Sequence, residues 1–533
     1  GLPRGNQRLM RIFATAGKPR CNRSRPTGAG FFRLALLASL FMPAVPCAVA
    51  QNLFTNAGFE EGTSPWAGFG GCVLVTTTQS HSGAYAGHCT NRTASWMGIE
   101  QSLLGRVSTG ATYRISGWVR LGNAPNAAVE ITVRQVDGRG TQYINLCWLT
   151  GRDDRWMLCS GVFRLDVVGE LSQLSVYYAG PAPGVDMLLD DAELVDITPW
   201  EADANERIEE LRKRDVEIAV LYQSLPSSNV VVKVNQLRHH FAFGSAINGN
   251  AVTNSAYADF FKSHFEWAVM ENESKWTANE WFQGVVTYEE ADRIYSFCHS
   301  NDITMRGHCI YWEDENNVQG WLKTLGSNDL RQAVTSRMAS AVQHFKGKFV
   351  HWDVNNEMIN HSFYKDRLGN QIWSSMVQAA RETDPDCKLF VNEFGVIEDG
   401  YYLAACENQV VDLAAQGAPI DAIGVQCHFG TNYDRHAVVA RFDNLAQLGL
   451  PVWVTEFDSP STDEVARADN MEDLYRIAFS HSSVEGILMW GFWENSQWRQ
   501  NCHMVQSNWS LNEAGRRYEQ LMAEWTTRTT NTT

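Results

Sequence analysis

Several features that large functional classes require are missing from this chain. Its 533 residues carry 44 Lys and Arg against 60 Asp and Glu, a formal net charge of −16. With no basic surplus to neutralise phosphates, a nucleic-acid partner is not expected. The apolar run Leu34–Phe41 is too short to span a bilayer, so no membrane partner is expected either. Twelve Cys are present, but none has the C-x-x-C spacing of a zinc site. There is no glycine loop to cradle phosphate, no metal-ligand cluster, and no Ser-His-Asp arrangement that can be inferred. Neither a catalytic metal nor a catalytic cofactor is expected, and the chain is read as a monomer.

The charge that is present is unevenly spread. Residues 1–33 hold eight Lys or Arg and no acid, so the remainder carries −24. A short apolar core then leads to the small-residue ending Ala48-Val49-Ala50. That order describes a secretory signal peptide, with an organelle transit peptide as the alternative. Met10 lies inside the basic region, which suggests a truncated or over-extended reading frame upstream. A secreted, extracellular or cell-wall location is expected. Sequons at Asn91, Asn360, Asn508 and Asn531 fit it, and so does pairing among the ten Cys after Ala50, with Cys72–Cys89 and Cys147–Cys159 as local guesses.

Five regions follow from changes of rhythm: a leader over 1–50, a β-sandwich over 51–197, a helical connector over 198–215, a (β/α)8 barrel over 216–525 and a tail over 526–533. The sandwich reads as short alternating runs, such as Tyr113–Val119 and Ala128–Val133, separated by turns. Asp203-Ala204-Asn205-Glu206 looks like an N-cap with a return glutamate, opening a charged helix through Arg214. Beyond it, eight apolar strand candidates recur every 25 to 45 residues: Phe241–Gly244, Phe265–Val269, Thr304–Gly307, Phe349–Val354, Lys388–Val391, Ala422–Val425, Val452–Val454 and Gly486–Met489. Helix-like segments such as Thr335–Phe345 and Ile372–Thr383 lie between them, which is the pattern of a TIM barrel.

In such a barrel the chemistry gathers where strands end. The candidate exits deliver Glu271, Asn272 and Lys275; His308 and Trp312; Asn356 and Glu357; Gln426 and His428; Glu456 and Asp458; and Trp490 and Trp498. Taken singly, each is more simply a solvated strand end or a core residue. Together they supply two carboxylates, amides and histidines for hydroxyl groups, and flat indoles for pyranose faces. That is the inventory of glycoside cleavage.

The motifs Trp352–Glu357 (WDVNNE), Trp453–Asp458 (WVTEFD), Glu271–Trp276 (ENESKW) and Arg306–Glu313 (RGHCIYWE) resemble those of family-10 glycoside hydrolases, the endo-β-1,4-xylanases, particularly plant-type members. The resemblance covers about residues 206–525. It implies that Glu357 is the general acid/base and Glu456 the nucleophile of a retaining double displacement, with carboxyl groups about 5 to 5.5 Å apart. It further implies substrate contacts from Glu271, Asn272, Lys275, His308, Trp312, Asn356, Gln426, His428, Trp490 and Trp498, with Asp458 supporting His428. Three departures from the commonest pattern stand out: Asn355, Glu313, and Asn392-Glu393-Phe394 at the fifth exit. Asn355 is expected to point away from the cleft. Asn272 heads a sequon and, if it lines the cleft, should be unglycosylated.

The two ends of the sandwich resemble carbohydrate-binding modules of the family 4, 9 and 22 type. That implies stacking aromatics, with Trp66, Trp96, Tyr143, Trp148 and Trp156 as candidates and half or more of them core. It also implies a structural calcium at Glu60 and Asp190 or Asp191, against the simpler reading of solvated turn carboxylates. The expected partner is xylan or a related β-1,4-glycan. Rival readings are transfer of xylan chains, cleavage of another β-1,4-glycan, and glycan binding without catalysis.

Overall fold

The computed structural model describes residues 10–16, 51–214, 216, 218, 221–222, 225–226 and 230–532. The apolar core and the Ala48-Val49-Ala50 ending of the signal-peptide pattern lie outside these residues, while Met10–Ala16 of its basic region form a strand paired antiparallel with residues 230–236. Among the described residues, no helix is long and apolar enough to cross a membrane.

The N-terminal unit is a sandwich of two five-stranded antiparallel sheets. Its strands are β1 (Ala67–Phe69), β2 (Val73–Thr77), β3 (Ala86–Thr90), β4 (Gly98–Ser102), β5 (Thr112–Leu121), β6 (Asn126–Asp137), β7 (Gly140–Arg152), β8 (Met157–Arg164), β9 (Gln173–Ala179) and β10 (Met187–Asp196). One sheet runs β1-β4-β9-β6-β7 and the other β2-β3-β10-β5-β8. Alternation along β8 buries Met157, Cys159, Gly161 and Phe163 and turns the residues between them outward, as a strand with one covered face requires. Cys72 and Cys89 have sulfurs 2.7 Å apart, and Cys147 and Cys159 have sulfurs 3.2 Å apart across the two sheets. Trp66, a candidate sugar platform, is instead core. It is 4% exposed and packs between Phe54 and Phe59, with its indole N–H donating to the Asn56 carbonyl.

Helix α1 (Trp200–Arg212) begins three residues before the expected cap, behind Pro199. Asp203 therefore sits inside the first turn with Glu201, where acidic groups favour the helix N-terminus without capping it. Its far end is anchored. Arg212 donates to the carbonyls of Phe479, His481 and Val484, and burial lowers its pKa to about 10.

Eight parallel strands form the barrel: β11 (Ala242–Ile247), β12 (Trp267–Met270), β13 (Thr304–Gly307), β14 (His351–Asn356), β15 (Lys388–Glu393), β16 (Ala422–Val425), β17 (Val452–Phe457) and β18 (Val484–Met489). Their order is sequential, and pairing of β13 with β14 and of β18 with β11 closes the ring. Each of β11, β14 and β17 is buried along its whole length; β11 and most of β17 are apolar, whereas β14 buries His351, Asp353, Asn355 and Asn356 beside Trp352 and Val354. Closure needs glycine at Gly307, where an added Cβ would meet the Trp352 ring at 2.4 Å.

The sandwich is docked on the barrel. Strands β7 and β8 lie against helices α2 (Gly400–Ala415) and α3 (Arg435–Ala446), and Ala404 joins the sandwich core. Arg155 pairs with Asp412 at 2.6 Å, while Arg114 bridges Glu193 and Asp443. The partially exposed pairs contribute about 0.2–1 kcal/mol each. The double variant Arg114→Ala/Arg155→Ala is therefore expected to lose about 1–2 kcal/mol and to split one calorimetric unfolding transition into two. An unchanged single transition would show that packing alone couples the units.

Candidate active site

Glu456 lies within β17, one residue before its end, and its backbone N–H donates to the Gln426 carbonyl. Glu357 follows the last residue of β14 with φ = 62°, a left-handed conformation that costs a non-glycine residue about 1–3 kcal/mol. Its N–H donates to the Asn392 carbonyl at 3.0 Å, which ties the turn to β15. Asn392 and Gln426 thus cross between the two carboxylates. Asn392 holds Glu357 by its backbone and donates from its side chain to Glu456 Oε1 at 2.8 Å. Gln426 holds Glu456 by its backbone and donates from its side chain to Glu357 Oε1 at 3.0 Å.

The two carboxylates have different surroundings. Glu357 Oε2 accepts from the Trp312 indole at 2.7 Å, so both of its hydrogen-bonding side-chain partners are neutral, and a single imidazole, His361, stands beyond them with Nε2 3.8 Å from Oε2. Glu456 is ringed by cationic groups. His428 Nε2 lies 3.3 Å from Oε2 and His308 Nδ1 lies 3.8 Å from Oε1. Burial alone would raise the Glu456 pKa, but His308, His428 and Lys275 outweigh it and bring it down to about 2. Burial likewise works against a charged His428, yet Asp458 and Glu456 carry its pKa up to about 10. His428 Nδ1 lies 3.1 Å from Asp458 Oδ2, a close ion pair without hydrogen-bond alignment. Asp458 is instead aligned by the Trp498 indole at 2.7 Å and by Arg499.

The remaining candidates assemble around this pair. Asn356 accepts from Asn392 at 3.0 Å. Lys275 stands 4.6 Å from the Trp312 ring centre and 5.9 Å from that of Trp490, and it donates to Asn272 at 3.1 Å. Trp490 meets the His308 ring edge-on at 5.3 Å. Trp498 is 55% exposed beside His428. Glu271 stands further out, accepting from Asn248 at 3.2 Å. Asn272 is exposed, while the Ser274 of its sequon is fully buried and donates to the His308 carbonyl.

Four supporting residues were not singled out from sequence as site residues. Asp353, buried inside β14, accepts from His308 Nδ1 at 2.9 Å and from Arg306 at 2.6 Å. Asn392 is the crossing residue, and Arg499 steadies Asp458. Glu393 is fully buried and accepts from the N–H groups of Met358 and Ile359 and from Gln409, while burial pushes its pKa up to about 8. A polar residue at the exit of an otherwise apolar strand was the available signal for Asn392 and Glu393. Two of the family departures also touch. Asn355 donates to Glu313 at 2.8 Å, and Glu313 further accepts from Trp373 and from the Tyr364 N–H.

On the sandwich, Phe69 stacks on Tyr177 at 4.3 Å with Trp96 edge-on at 5.8 Å, and Tyr143 and Trp148 are exposed nearby on the same sheet. Trp156 is half-buried against His81. The calcium candidates are occupied by protein donors. Glu60 accepts from the N–H groups of Ala84 and Tyr85, Asp190 from those of His81, Ser82 and Asp191, and Asp191 pairs with His81. Among the described residues no group of three or more His, Cys, Asp or Glu is placed to hold a metal ion, so nothing supports the calcium site that the resemblance implies.

Fold and site together define an eight-stranded parallel barrel whose strand ends bring two carboxylates, Glu357 and Glu456, to one face. The description "Glycosyl hydrolase family 10" matches residues 234–517 and "Carbohydrate binding domain" matches residues 51–184; the chain belongs to glycosyl hydrolase family 10. It is 36% identical over 503 residues to Endo-1,4-beta-xylanase 1 of Arabidopsis thaliana, covering 90% of this chain and 52% of that protein. It is 51% identical over 332 residues to Anti-sigma-I factor RsgI6 of Acetivibrio thermocellus, covering 62% of this chain and 43% of that protein. The chain spans about half the length of these curated relatives. Xylanase 10B from Thermotoga petrophila, solved with xylobiose, shares the barrel fold at a TM-score of 0.50 and 20% identity, over 54% of this chain and 94% of that one.

His428→Ala removes a cation that keeps Glu456 ionised. The acidic limb of the kcat/KM profile is therefore expected to move to higher pH, by about one unit or more. An unmoved limb would show that His308 and Lys275 suffice.

Proposed function

We propose that the protein cleaves β-1,4-xylosidic linkages within xylan chains by a retaining double displacement. The observation that carries this reading is the asymmetry of the two carboxylates. Glu456, surrounded by His308, His428 and Lys275, is kept as an anion and attacks the anomeric carbon. The departing sugar oxygen takes its proton from Glu357, whose hydrogen-bonding side-chain partners Trp312 and Gln426 are neutral and do not change charge with it. Attack turns Glu456 into an ester and removes its charge. Glu357, now a carboxylate, then takes a proton from the incoming water, which releases the sugar with its original stereochemistry. Trp490 and Trp498 offer ring faces for pyranoses, and Asn356, His308 and Lys275 supply hydroxyl contacts.

The basic leader and its A-x-A ending support an extracellular or cell-wall location. The aromatic face of the sandwich, with Phe69, Trp96 and Tyr177 grouped together, supports binding of the same class of polymer. A second reading is glycan binding without turnover, in which the grouped rings of Phe69, Trp96 and Tyr177 on the sandwich hold polymer that the barrel does not cut.

With glucuronoxylan as substrate, new reducing ends are expected from the native chain, and Glu456→Ala should lower kcat by on the order of a thousand-fold or more. Glu357→Ala should be slow on xylan yet retain cleavage of an activated aryl xylobioside, whose leaving group needs no proton. Turnover by neither native chain nor variants, with xylan still retained in a pull-down, would favour the binding reading. An inverted first product would overturn the double displacement.

A further inference from the structure

Outside the catalytic cleft, a cavity of about 470 Å³ opens between the loop after β14, the helix Ile372–Thr383 and helix α2, with Thr150 of the sandwich at its wall. Its size falls in the range of small-ligand sites, roughly 300–1,000 Å³. Its lining combines rings and amides. Tyr401 is 59% exposed, Trp373 carries Lys365 at 4.3 Å from its ring centre, and Asn370, Asn408 and Gln416 offer amide groups. Lys365 has no ion-pair partner among the described residues, whereas Asp412, the acid in the same wall, is committed to Arg155. A wall that alternates flat rings with amides suits pyranose rings, which present C–H faces and a rim of hydroxyl groups. Neither a long aliphatic chain nor a polyanion would use that mixture, because amides would lose water to the first and a single lysine is too little for the second.

Position adds to the chemistry. Met358 and Ile359, which immediately follow Glu357, form part of the wall, and Glu393 holds their N–H groups together with Gln409 of α2. The groove thus lies beside the segment that carries the proposed acid, yet none of its ring or amide side chains belongs to the cleft.

We propose that this groove is a second saccharide site, which takes a short stretch of neutral β-linked pyranose chain alongside the cleft. The choice of xylose units as its occupant rests on the function proposed above.

The test uses the full chain carrying Glu456→Gln, so that sugar is bound but not cut, with hydrogen exchange followed by mass spectrometry. Xylohexaose and cellohexaose are the probes. With xylohexaose at ten times its Kd, amides of residues 400–416 that exchange by local opening are expected to slow about tenfold. Adding Tyr401→Ala or Asn408→Ala should abolish that protection and leave residues 270–276 protected as before. Protection of 270–276 without any at 400–416 overturns the groove and leaves the xylan reading standing; the cavity then holds water only. Protection at 400–416 that survives both variants also overturns it, since the effect would be relayed from the cleft. Protection of both regions by cellohexaose alone supports the groove and replaces xylan as the polymer. No protection by either sugar overturns both readings.

Discussion

A carboxylate that is fully enclosed by protein must be either protonated or electrostatically compensated, and the rest of the barrel depends on how that demand is met at Glu456. Compensation comes from His308 after β13, His428 after β16 and Lys275 after β12, with an N–H from Asn392 on β15. These groups lie far apart along the chain, so only ring closure brings them to one point. The ionised state of Glu456 is therefore a property of the closed fold and not of its own neighbours in sequence.

The compensating groups are themselves held. His308 rests on Asp353, which is shared with Arg306 in a fully buried pair. Breaking such a pair on one side would leave an uncompensated charge and typically costs about 3–5 kcal/mol. Glu357 is restrained differently. Its left-handed backbone is strained, and the bonds from Met358 and Ile359 to Glu393 fix the turn from beneath. Strain at one carboxylate and buried charge at the other are both offset by hydrogen bonds running through β15.

Much of this could be read from sequence because periodicity and position coincide. In parallel strands covered on both faces, apolar runs mark the barrel staves, and a charged residue at the end of such a run is conspicuous. Thr304–Gly307 and Ala422–Val425 have the expected bounds, and the helix Ile372–Thr383 has them too. What escaped was information carried only by three-dimensional contact. The hydrogen bond from Asn355 to Glu313 joins residues 42 apart in the chain, and neither residue alone announces the other. Trp66 has the composition of a sugar platform, and only its contacts with Phe54 and Phe59 show it to be core. Helix α1 begins directly behind Pro199, three residues ahead of the cap that the Asp203-to-Glu206 spacing suggests, so Asp203 falls within the first turn and does not cap it.

Strand-on-helix packing and the Arg155–Asp412 pair seat the sandwich directly on α2 and α3. A flexible tether would let a bound module search a volume, with an effective concentration set by tether length. A seated module behaves as a ruler. A polymer that satisfies both the aromatic face and the barrel mouth at their fixed separation gains avidity without any new contact, and one that cannot reach both gains none. Under the proposed function, selection between straight and bent chains can thus arise from the docking interface itself.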